Sequence, residues 1–356
     1  MRTKDKTASA LRPRRRKLWR VLASVLVIIV IIWLGLALRS GFIGTSRSTR
    51  AGSTASSEVE EFSRKKKYLQ IGDARVAYID EGSGPPVILL HGCPFHSYEW
   101  KDIIPGLSRF YRVIAPDLLG LGDTEVSLDS DYRLPQDVEM VVSLMDSLGL
   151  REASFVGHDH GGATLQLLMG SHPQRITRAV LTNAEAYDQW PSEPERPYLK
   201  AIVNPALSPV FHLALSNAAV RRKVFGIAVH KKEVFTDEVL DAYVRAHTSD
   251  AARWQRLVRF FRWQLDPQHN RVTLEAVPGM RQFRRPTLLL WGEMDTNFGR
   301  KIAERLASDI PGTVGIVWLK ESAHMPMQEE PEAYTAALLR FLSGEMDKQP
   351  QQQKED

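Results

Sequence analysis

Short apolar runs alternate with segments of helical periodicity between about residues 65 and 343. The runs "PPVILLHG", "ASFVGHD" and "PTLLLWG" lack the polar alternation of half-exposed strands. The segment "LPQDVEMVVSLMDSLGL" instead repeats its apolar residues at helical spacing. Apolar strands that are each followed by a helix predict an α/β fold, with a mostly parallel sheet and helices on both faces. The first two strands, "KKKYLQIG" and "ARVAYIDEG", are expected to be antiparallel.

The same pattern sets the predicted domain boundaries. Residues 65–184 and 281–343 carry the alternating pattern and form the predicted core. Residues 185–280 interrupt it with a helical, aromatic insert that includes "RWQRLVRFFRWQLD". Residues 39–64 are rich in Ser, Gly and Thr, which is typical of a flexible stalk. The polar residues 344–356 are expected to be disordered.

Residues 21–38 form an uncharged apolar stretch of 18 residues. This is about the minimum length of a helix that spans a hydrocarbon core of roughly 30 Å. Nine basic residues precede the stretch within the tail 1–20, so the positive-inside rule places that tail in the cytoplasm and the bulk of the chain outside it. The prediction is a single-pass membrane anchor. A cleaved signal peptide, a twin-arginine export signal and a buried core helix are the alternatives.

Charge is distributed unevenly along the chain. Residues 1–50 carry 12 Lys and Arg residues against one acid, whereas the other 306 residues carry 35 basic and 41 acidic residues. The basic surplus therefore belongs beside the apolar stretch, where it indicates contact with a membrane surface and not with nucleic acid. The single cysteine, Cys93, excludes an intrachain disulfide and a cysteine-based zinc site.

A nucleophile elbow is predicted at "GHDHG", residues 157–161. Small residues between a strand and a helix allow a sharp turn that exposes the middle side chain, which here is Asp159. A carboxylate can attack an sp³ carbon without a base and form an ester, which must then be hydrolysed. The alternative is an ordinary aspartate that caps a helix.

Two further residues follow predicted strands in the order expected for a catalytic triad. Asp295 comes after "LLLWG", and His324 comes after the last strand. An imidazole can activate water near neutral pH, and a carboxylate behind it fixes its orientation. His324 is therefore the predicted base and Asp295 its partner, against the alternative of a surface or capping histidine.

The turn "HGCPF" is predicted to supply an oxyanion hole. The backbone N–H of Cys93, with that of His160 after the nucleophile, would bind the oxyanion of the tetrahedral intermediate. Pro94 is expected to fix this turn, with a cis peptide bond as one option. The nearby histidines show no metal-binding helix spacing, so no metal site is predicted; they are His91, His96, His158 and His160.

The motifs together resemble the α/β-hydrolase fold, in particular its aspartate-nucleophile branch of epoxide hydrolases and haloalkane dehalogenases. The resemblance rests on "HGCPFHSYEW", "APDLLGLGDT", "GHDHGG", "WGEMD" and "SAHMPMQEEPE", over about residues 66–343. It implies that Asp159 is the nucleophile, His324 the base and Asp295 its partner. It also implies that residues 185–280 are a cap over the pocket and that no cofactor is needed.

The departures from the family pattern bear on the substrate. Haloalkane dehalogenases usually have Asn and Trp side chains as halide donors where this chain has Cys93 and His160. Epoxide hydrolases use cap tyrosines as donors, and the candidates here are Tyr187, Tyr198 and Tyr243. The sequence thus favours a hydrolase of small apolar electrophiles, with epoxides preferred. A haloalkane dehalogenase-like or esterase-like enzyme is the alternative, and a membrane-tethered binding protein is the alternative of another class.

Overall fold

A computed structural model of the chain describes residues 57–348 and contains an eight-stranded sheet. The strands lie in the order β1-β2-β4-β3-β5-β6-β7-β8. The β1–β2 pair is antiparallel and the sheet is mostly parallel, as the sequence predicted; the β2–β4 pair is also antiparallel, which it did not predict. The strands are β1 Lys67–Ile71, β2 Ala74–Glu81, β3 Pro86–Leu90, β4 Arg112–Pro116, β5 Ala153–His158, β6 Ile176–Thr182, β7 Thr287–Gly292 and β8 Thr313–Leu319.

Helices cover the sheet and form the insert. They are α1 Ser57–Lys65, α2 Ile104–Leu107, α3 Leu134–Ser147, α4 Asp159–Ser171, α5 Arg196–Val203, α6 Ser208–Ala214, α7 Ala218–Phe225, α8 Asp237–Thr248, α9 Ala251–Gln264, α10 Arg271–Glu275, α11 Val277–Met280, α12 Arg300–Asp309, α13 Pro326–Glu329 and α14 Pro331–Leu342.

Both faces of the sheet are buried. In β3, Ile88 and Leu90 pack into one apolar cluster, and Val87 and Leu89 pack into a second one on the opposite face. Successive side chains of a strand point to opposite faces, so a strand buried on both must be apolar throughout. This explains why the strand segments of the sequence show no polar alternation.

The predicted cap corresponds to the helices between β6 and β7, with one correction at its end. Helices α10 and α11 lie within the predicted range 185–280 but pack against the core helix α4. Gly279 lies so close to Gly170 of α4 that a side chain at Gly279 would collide with it. The core therefore resumes before residue 280, at α10.

Two predicted flexible segments contain ordered structure where the chain is described. Residues 57–64 of the predicted stalk belong to α1, whose Phe62 packs edge-to-face on Tyr98 with ring centroids 5.1 Å apart. Part of the predicted disordered tail forms a 3₁₀ helix at Glu345–Lys348, where Asp347 accepts a hydrogen bond of 2.8 Å from Arg178. Long-range contacts that composition does not reveal order both segments.

The predicted membrane-spanning segment at 21–38 and the basic tail before it lie outside the described residues. Within residues 57–348, every helix is too short or too polar to cross a lipid bilayer.

Candidate active site

Asp159 occupies the sharp turn between β5 and α4. Its backbone φ is 51°, a left-handed conformation that costs about 1–3 kcal/mol in a residue other than glycine. The turn fits because its neighbours are small: a side chain at Gly161 would collide with the carbonyl oxygen of Leu90. The conformation places the Asp159 carboxylate at the carboxyl edge of the sheet, where parallel α/β folds bind their ligands.

Asp159, His324 and Asp295 meet at this edge. His324 Nδ1 lies 3.0 Å from Asp295 Oδ2, and its Nε2 lies 3.3 Å from Asp159 Oδ2. All three side chains are almost completely buried. Each residue follows a different strand, so the topology alone brings them together. The arrangement is that of a nucleophile, a base and a group that orients the base.

Asn183 and Asn297 hold Asp295 in place. Asn183 Nδ2 donates to Asp295 Oδ2 at 2.7 Å, and the Asn297 N–H donates to Oδ1 at 2.7 Å. Asn183 directly follows β6 and has a φ of 36°, so it is a second residue in a left-handed conformation at the site. Sequence reasoning missed both residues, although the position of Asn183 at a strand end was a usable signal.

The charges of the triad depend on one another. Burial acts to raise the pKa of Asp159, but the hydrogen bond from His324 and its charge outweigh burial and hold that pKa well below its usual value. Burial acts to lower the pKa of His324, but Asp295 and Asp159 together raise it well above normal. These shifts favour an imidazolium between two carboxylates in the resting site. Loss of the Asp159 charge, as in an ester, removes part of what keeps His324 protonated.

One of the two predicted oxyanion donors is already engaged. The Cys93 N–H donates to Asp159 Oδ1 at 2.8 Å, from the turn after β3. The Cys93–Pro94 peptide bond is cis. Burial raises the pKa of the Cys93 thiol well above its usual value, so the side chain stays protonated. The matching role of the His160 backbone N–H stays a prediction.

The His160 side chain belongs to a second chain of buried charges beside the nucleophile. Its Nδ1 lies 2.8 Å from Glu185 Oε2, and its Nε2 lies 3.5 Å from Asp137 Oδ2. Burial acts to lower the pKa of His160, but the two carboxylates outweigh it and raise that pKa to about 10. Burial and then the charge of Asp159 raise the pKa of Glu185. Glu185 follows β6 by three positions, a signal that sequence reasoning did not use.

His91 and His158 have structural partners. His91 Nδ1 donates to the Gly92 carbonyl at 2.7 Å and its Nε2 accepts from the Leu118 N–H at 2.9 Å, which fixes a neutral ring. His158 lies between Glu99 Oε1, at 2.9 Å, and the His324 carbonyl, at 2.8 Å. His158 thus connects the elbow to the backbone that carries the predicted base.

A cavity under the cap leads to the triad. Its volume is about 90 Å³, which limits the substrate to a small molecule. Its lining is mostly apolar and comes from the cap, while His324 and Cys93 line it from the core. The polar side chains in the lining are Glu185, Glu195, Tyr198, His247, Thr248 and Gln264.

Only one of the three candidate tyrosines in the cap lines this cavity. Tyr198, on α5, is part of the lining. Tyr187 is fully buried and donates to Asp309 Oδ2 at 3.0 Å, and Tyr243 is fully buried with its hydroxyl 2.5 Å from Gln328 Nε2. The structure therefore places Tyr187 and Tyr243 in the packing of the protein, outside the cavity lining, where Asp309 and Gln328 engage their hydroxyl groups.

Cys93, Asp159 and Glu185 could in principle hold a metal ion. Within residues 57–348 they form a group whose Sγ and carboxylate oxygens lie within 4.8 Å of one another. A metal would require the thiolate form of Cys93, which burial disfavours. Asp159 is also committed to hydrogen bonds with Cys93 and His324. These donors fit a nucleophilic site better than a metal centre.

Comparison with known proteins agrees with the geometry. The family model for the alpha/beta hydrolase fold matches residues 85–326, which is more than half of the chain. Haloalkane dehalogenase 2 of Mycobacterium tuberculosis is 27% identical over 278 residues, covering 77% of this chain and 94% of that protein. Epoxide hydrolase 4 of Homo sapiens is 25% identical over 296 residues, covering 78% of this chain and 79% of that protein.

Solved structures agree with these relatives. An alpha/beta hydrolase fold protein from Burkholderia ambifaria matches with a TM-score of 0.66 and 26% identity, covering 77% of this chain and 96% of that one. The chain therefore belongs to the alpha/beta hydrolase fold family, and it is an enzyme of the haloalkane dehalogenase and epoxide hydrolase type.

Proposed function

We propose that the protein hydrolyses epoxides through a covalent ester on Asp159. The observation that carries the proposal is the contact of Asp159 with His324, itself held by Asp295, beside a mostly apolar cavity. A carboxylate nucleophile is suited to an sp³ carbon. An apolar cavity favours a small apolar electrophile as substrate.

In the first step, Asp159 attacks a ring carbon and forms a C–O bond. The bond between that carbon and the ring oxygen breaks, and its electron pair stays on the oxygen, which takes a proton from an acid. The enzyme then carries a hydroxyalkyl ester. Asp159 has meanwhile lost its negative charge, which lowers the pKa of His324 and prepares it to act as a base.

In the second step, His324 takes a proton from a water molecule that attacks the carbonyl carbon of the ester. The Cys93 N–H, which lies 2.8 Å from Asp159 Oδ1, is placed to stabilise the oxyanion that forms. Collapse of the intermediate releases the diol and restores the Asp159 carboxylate. Asp295 stabilises the imidazolium throughout this step.

An epoxide is preferred to a haloalkane because of the donors near Asp159. A departing halide needs N–H or similar donors to stabilise its charge. The side chain after the nucleophile, His160, is already bound to Glu185 and lies close to Asp137. An oxygen leaving group instead needs a proton, and the cavity offers groups that can hold one.

Haloalkane or ester hydrolysis is the second candidate function. The haloalkane dehalogenase relatives favour it. Gln264 Nε2 also lies 3.7 Å from Cys93 Sγ, so the cavity lining holds an amide and a thiol side by side as candidate halide donors. A binding role without catalysis is less favoured, since the three triad side chains retain hydrogen-bonded geometry.

Isotope labelling tests the covalent route. A single turnover of an epoxide in H₂¹⁸O, with enzyme in excess, is expected to place ¹⁸O in the Asp159 carboxylate, because water attacks the ester carbonyl. Mass spectrometry of the peptide that holds Asp159 detects the label, and the first diol formed should lack it. Label in that diol and none in the peptide would contradict the proposal. A parallel panel of haloalkanes and esters separates the second candidate function.

We also propose that residues 21–38 anchor the protein in a membrane, with the N-terminus cytoplasmic and the catalytic domain outside. The proposal is supported by the uncharged apolar stretch and by the nine basic residues before it.

A reporter fused after Glu58 tests this topology. A phosphatase reporter that folds only outside the cytoplasm is expected to be active, while a reporter that works only in the cytoplasm is expected to be silent. Replacing the basic residues at 14–17 by Ser should weaken the orientation bias. The opposite pair of reporter activities would contradict the proposed topology.

A further inference from the structure

Glu185 is a buried carboxyl group to which the proposed reaction assigns no role. Its side chain is 3% exposed and lines the cavity. One of its carboxyl oxygens lies within 4.8 Å of an Asp159 carboxylate oxygen and of Cys93 Sγ. Its Oε2 accepts a hydrogen bond from His160, and its Oε1 accepts one from the Cys93 thiol at 4.0 Å. A thiol is a weak donor, so Oε1 is the oxygen that a ligand in the cavity can most easily engage.

A second carboxyl so close to the nucleophile has a chemical consequence. Two carboxylates a few Å apart in a buried site repel each other, so one of them tends to keep a proton. Asp159 is held in the charged form by His324. Glu185 is the member of the pair whose pKa is raised, by burial and then by Asp159. The surroundings thus keep Asp159 charged, as a nucleophile needs, and favour a protonated Glu185 that can act as an acid.

We propose that Glu185 donates the proton that the epoxide oxygen takes up when Asp159 opens the ring. This inference rests on the proposed function and names the acid of its first step. A reacting carbon lies about 3–3.5 Å from its nucleophile, and a proton donor acts from about 2.6–3.2 Å. Backside attack places the ring oxygen on the far side of the carbon from Asp159, so Glu185 must reach that oxygen from the side. The Asp159–carbon distance shortens as the bond forms, which brings the ring oxygen within reach of Glu185 across the observed spacing.

The proton balance closes over the catalytic cycle. As the Asp159–carbon bond forms, the ring oxygen accepts the proton of Glu185, which becomes a carboxylate. His324, whose pKa falls once Asp159 is an ester, releases its proton to solvent and becomes neutral, and Glu185 takes one up from solvent once the Asp159 carboxylate is restored and raises its pKa again. The neutral His324 takes a proton from the attacking water. When the ester breaks, the departing alkoxide takes the proton of the Asp159 carboxyl group, and the resting protonation state returns.

The charges around Glu185 couple its acidity to the reaction. The groups that face it are Asp159, the Cys93 thiol, the His160 ring and, from the cap side of the cavity, Glu195. Ester formation removes the negative charge of Asp159, which lowers the pKa of Glu185 as the alkoxide develops. His160, 2.8 Å away, then stabilises the carboxylate that remains. His160, the residue after the nucleophile, therefore supports Glu185 as the acid in this chain.

Tyr198 and Glu195 are the rival donors because both line the cavity. Burial and the charge of Asp159 raise the pKa of Glu195 to about 7, but both of its oxygens accept N–H hydrogen bonds, from the Ser192 N–H at 3.0 Å and from Asn297 Nδ2 at 3.2 Å. Glu185 Oε1 accepts only the weak thiol hydrogen bond of Cys93, at 4.0 Å, and is the freer oxygen. Tyr198 is the family-type donor that the sequence pointed to. Substituting each group separately distinguishes the three.

The experiment measures the rate of ester formation in the full-length protein, purified in detergent. The parent is His324→Gln, in which the ester persists and can be weighed. Styrene oxide is the probe, and the rate is followed from pH 5 to 9 in H₂O and in D₂O. The rate of ester formation is expected to fall as the pH rises through the pKa of Glu185, a decline termed the pH limb. The rate is also expected to be lower in D₂O than in H₂O. Because these two results come from the parent, they do not depend on the stability of any Glu185 variant.

Three variants of this parent identify the donor. Adding Glu185→Gln is expected to slow ester formation by about 10²–10⁴-fold, the usual contribution of an acid catalyst, and to remove both the pH limb and the D₂O effect. Tyr198→Phe and Glu195→Gln should each slow it less and keep the pH limb. A purely structural role of Glu185 would lower the rate without removing the pH limb.

Other outcomes overturn the inference. Ester formation in Glu185→Gln at the parent rate, or with the pH limb retained, excludes Glu185 as the acid. A larger loss in Tyr198→Phe or Glu195→Gln assigns the donor elsewhere. In each of these cases the ester still forms on Asp159 and the proposed function stands. Absence of any ester in the parent, with the native protein also inactive on epoxides, removes the proposed function and the inference together.

Discussion

Replacing His324 by Gln is expected to stop turnover while Asp159 still reacts, so that the ester accumulates on the enzyme. Glutamine cannot take a proton from water, and the loss of the base should lower kcat by about 10²–10⁴-fold. The Cys93 N–H still orients Asp159 Oδ1 at 2.8 Å, so the nucleophile keeps one of its two contacts. Intact mass spectrometry should show one added substrate per chain, and peptide mapping should assign it to Asp159.

The form of the added mass identifies the substrate class. An epoxide adds its whole mass, whereas a haloalkane adds only its alkyl group and releases halide. His172→Gln is the matched control, since it makes the same substitution at a residue outside the cavity lining. This control should turn over like the native protein and show no adduct. Native-like turnover in His324→Gln, or an adduct on another residue, would contradict the assigned roles.

The sequence predicted the sheet and the triad for the same physical reason. Strands buried on both faces must be apolar throughout, so their ends are visible in the sequence as the points where apolar runs stop. In a parallel sheet these ends lie at one edge. Asp159 and Asp295 lie at or near such ends, and His324 follows β8 by a short loop. Their meeting could therefore be predicted without knowledge of any side-chain contact.

The groups around the triad could not be predicted in this way. Gln264 reaches His160 from the end of a cap helix, at 3.2 Å, and the rotation of that helix depends on long-range packing. Tyr187 and Tyr243 lie outside the cavity lining because their positions also depend on long-range contacts, with Asp309 and Gln328. The sequence did contain a signal for Glu185 and Asn183 as site residues, because both follow β6. The signal was the position of a polar side chain at a strand end, even where no family motif marks it.

Replacing Lys66 by Met is expected to destabilise the fold far more than the same substitution at the neighbouring Lys67. The Lys66 ammonium is 1% exposed and lies 2.6 Å from Asp117 Oδ2 and 2.7 Å from Asp123 Oδ2. Asp117 is fully buried and also accepts the Ser97 N–H. Removing one partner of a buried ion pair leaves the other charge uncompensated, which costs about 3–5 kcal/mol. Urea denaturation at pH 7 measures this as a lower free energy of unfolding.

Lys67 provides the matched control. It pairs with Asp80 at 3.1 Å, but its side chain is 53% exposed, so Lys67→Met should cost no more than about 1 kcal/mol. Equal losses in the two variants would contradict the assignment of the buried pair.

The effect of pH separates lost charge pairing from lost packing. Burial acts to raise the pKa of Asp117, but the charge of Lys66 outweighs it and holds that pKa well below the unfolded value of about 3.9. A lowered folded pKa stabilises the protein above the unfolded value, and this stability is lost as pH falls through the folded one. In Lys66→Met, Asp117 loses this partner and can take a proton at mildly acidic pH. The stability difference from the native protein should therefore shrink between pH 7 and pH 4, whereas a packing defect would leave it unchanged.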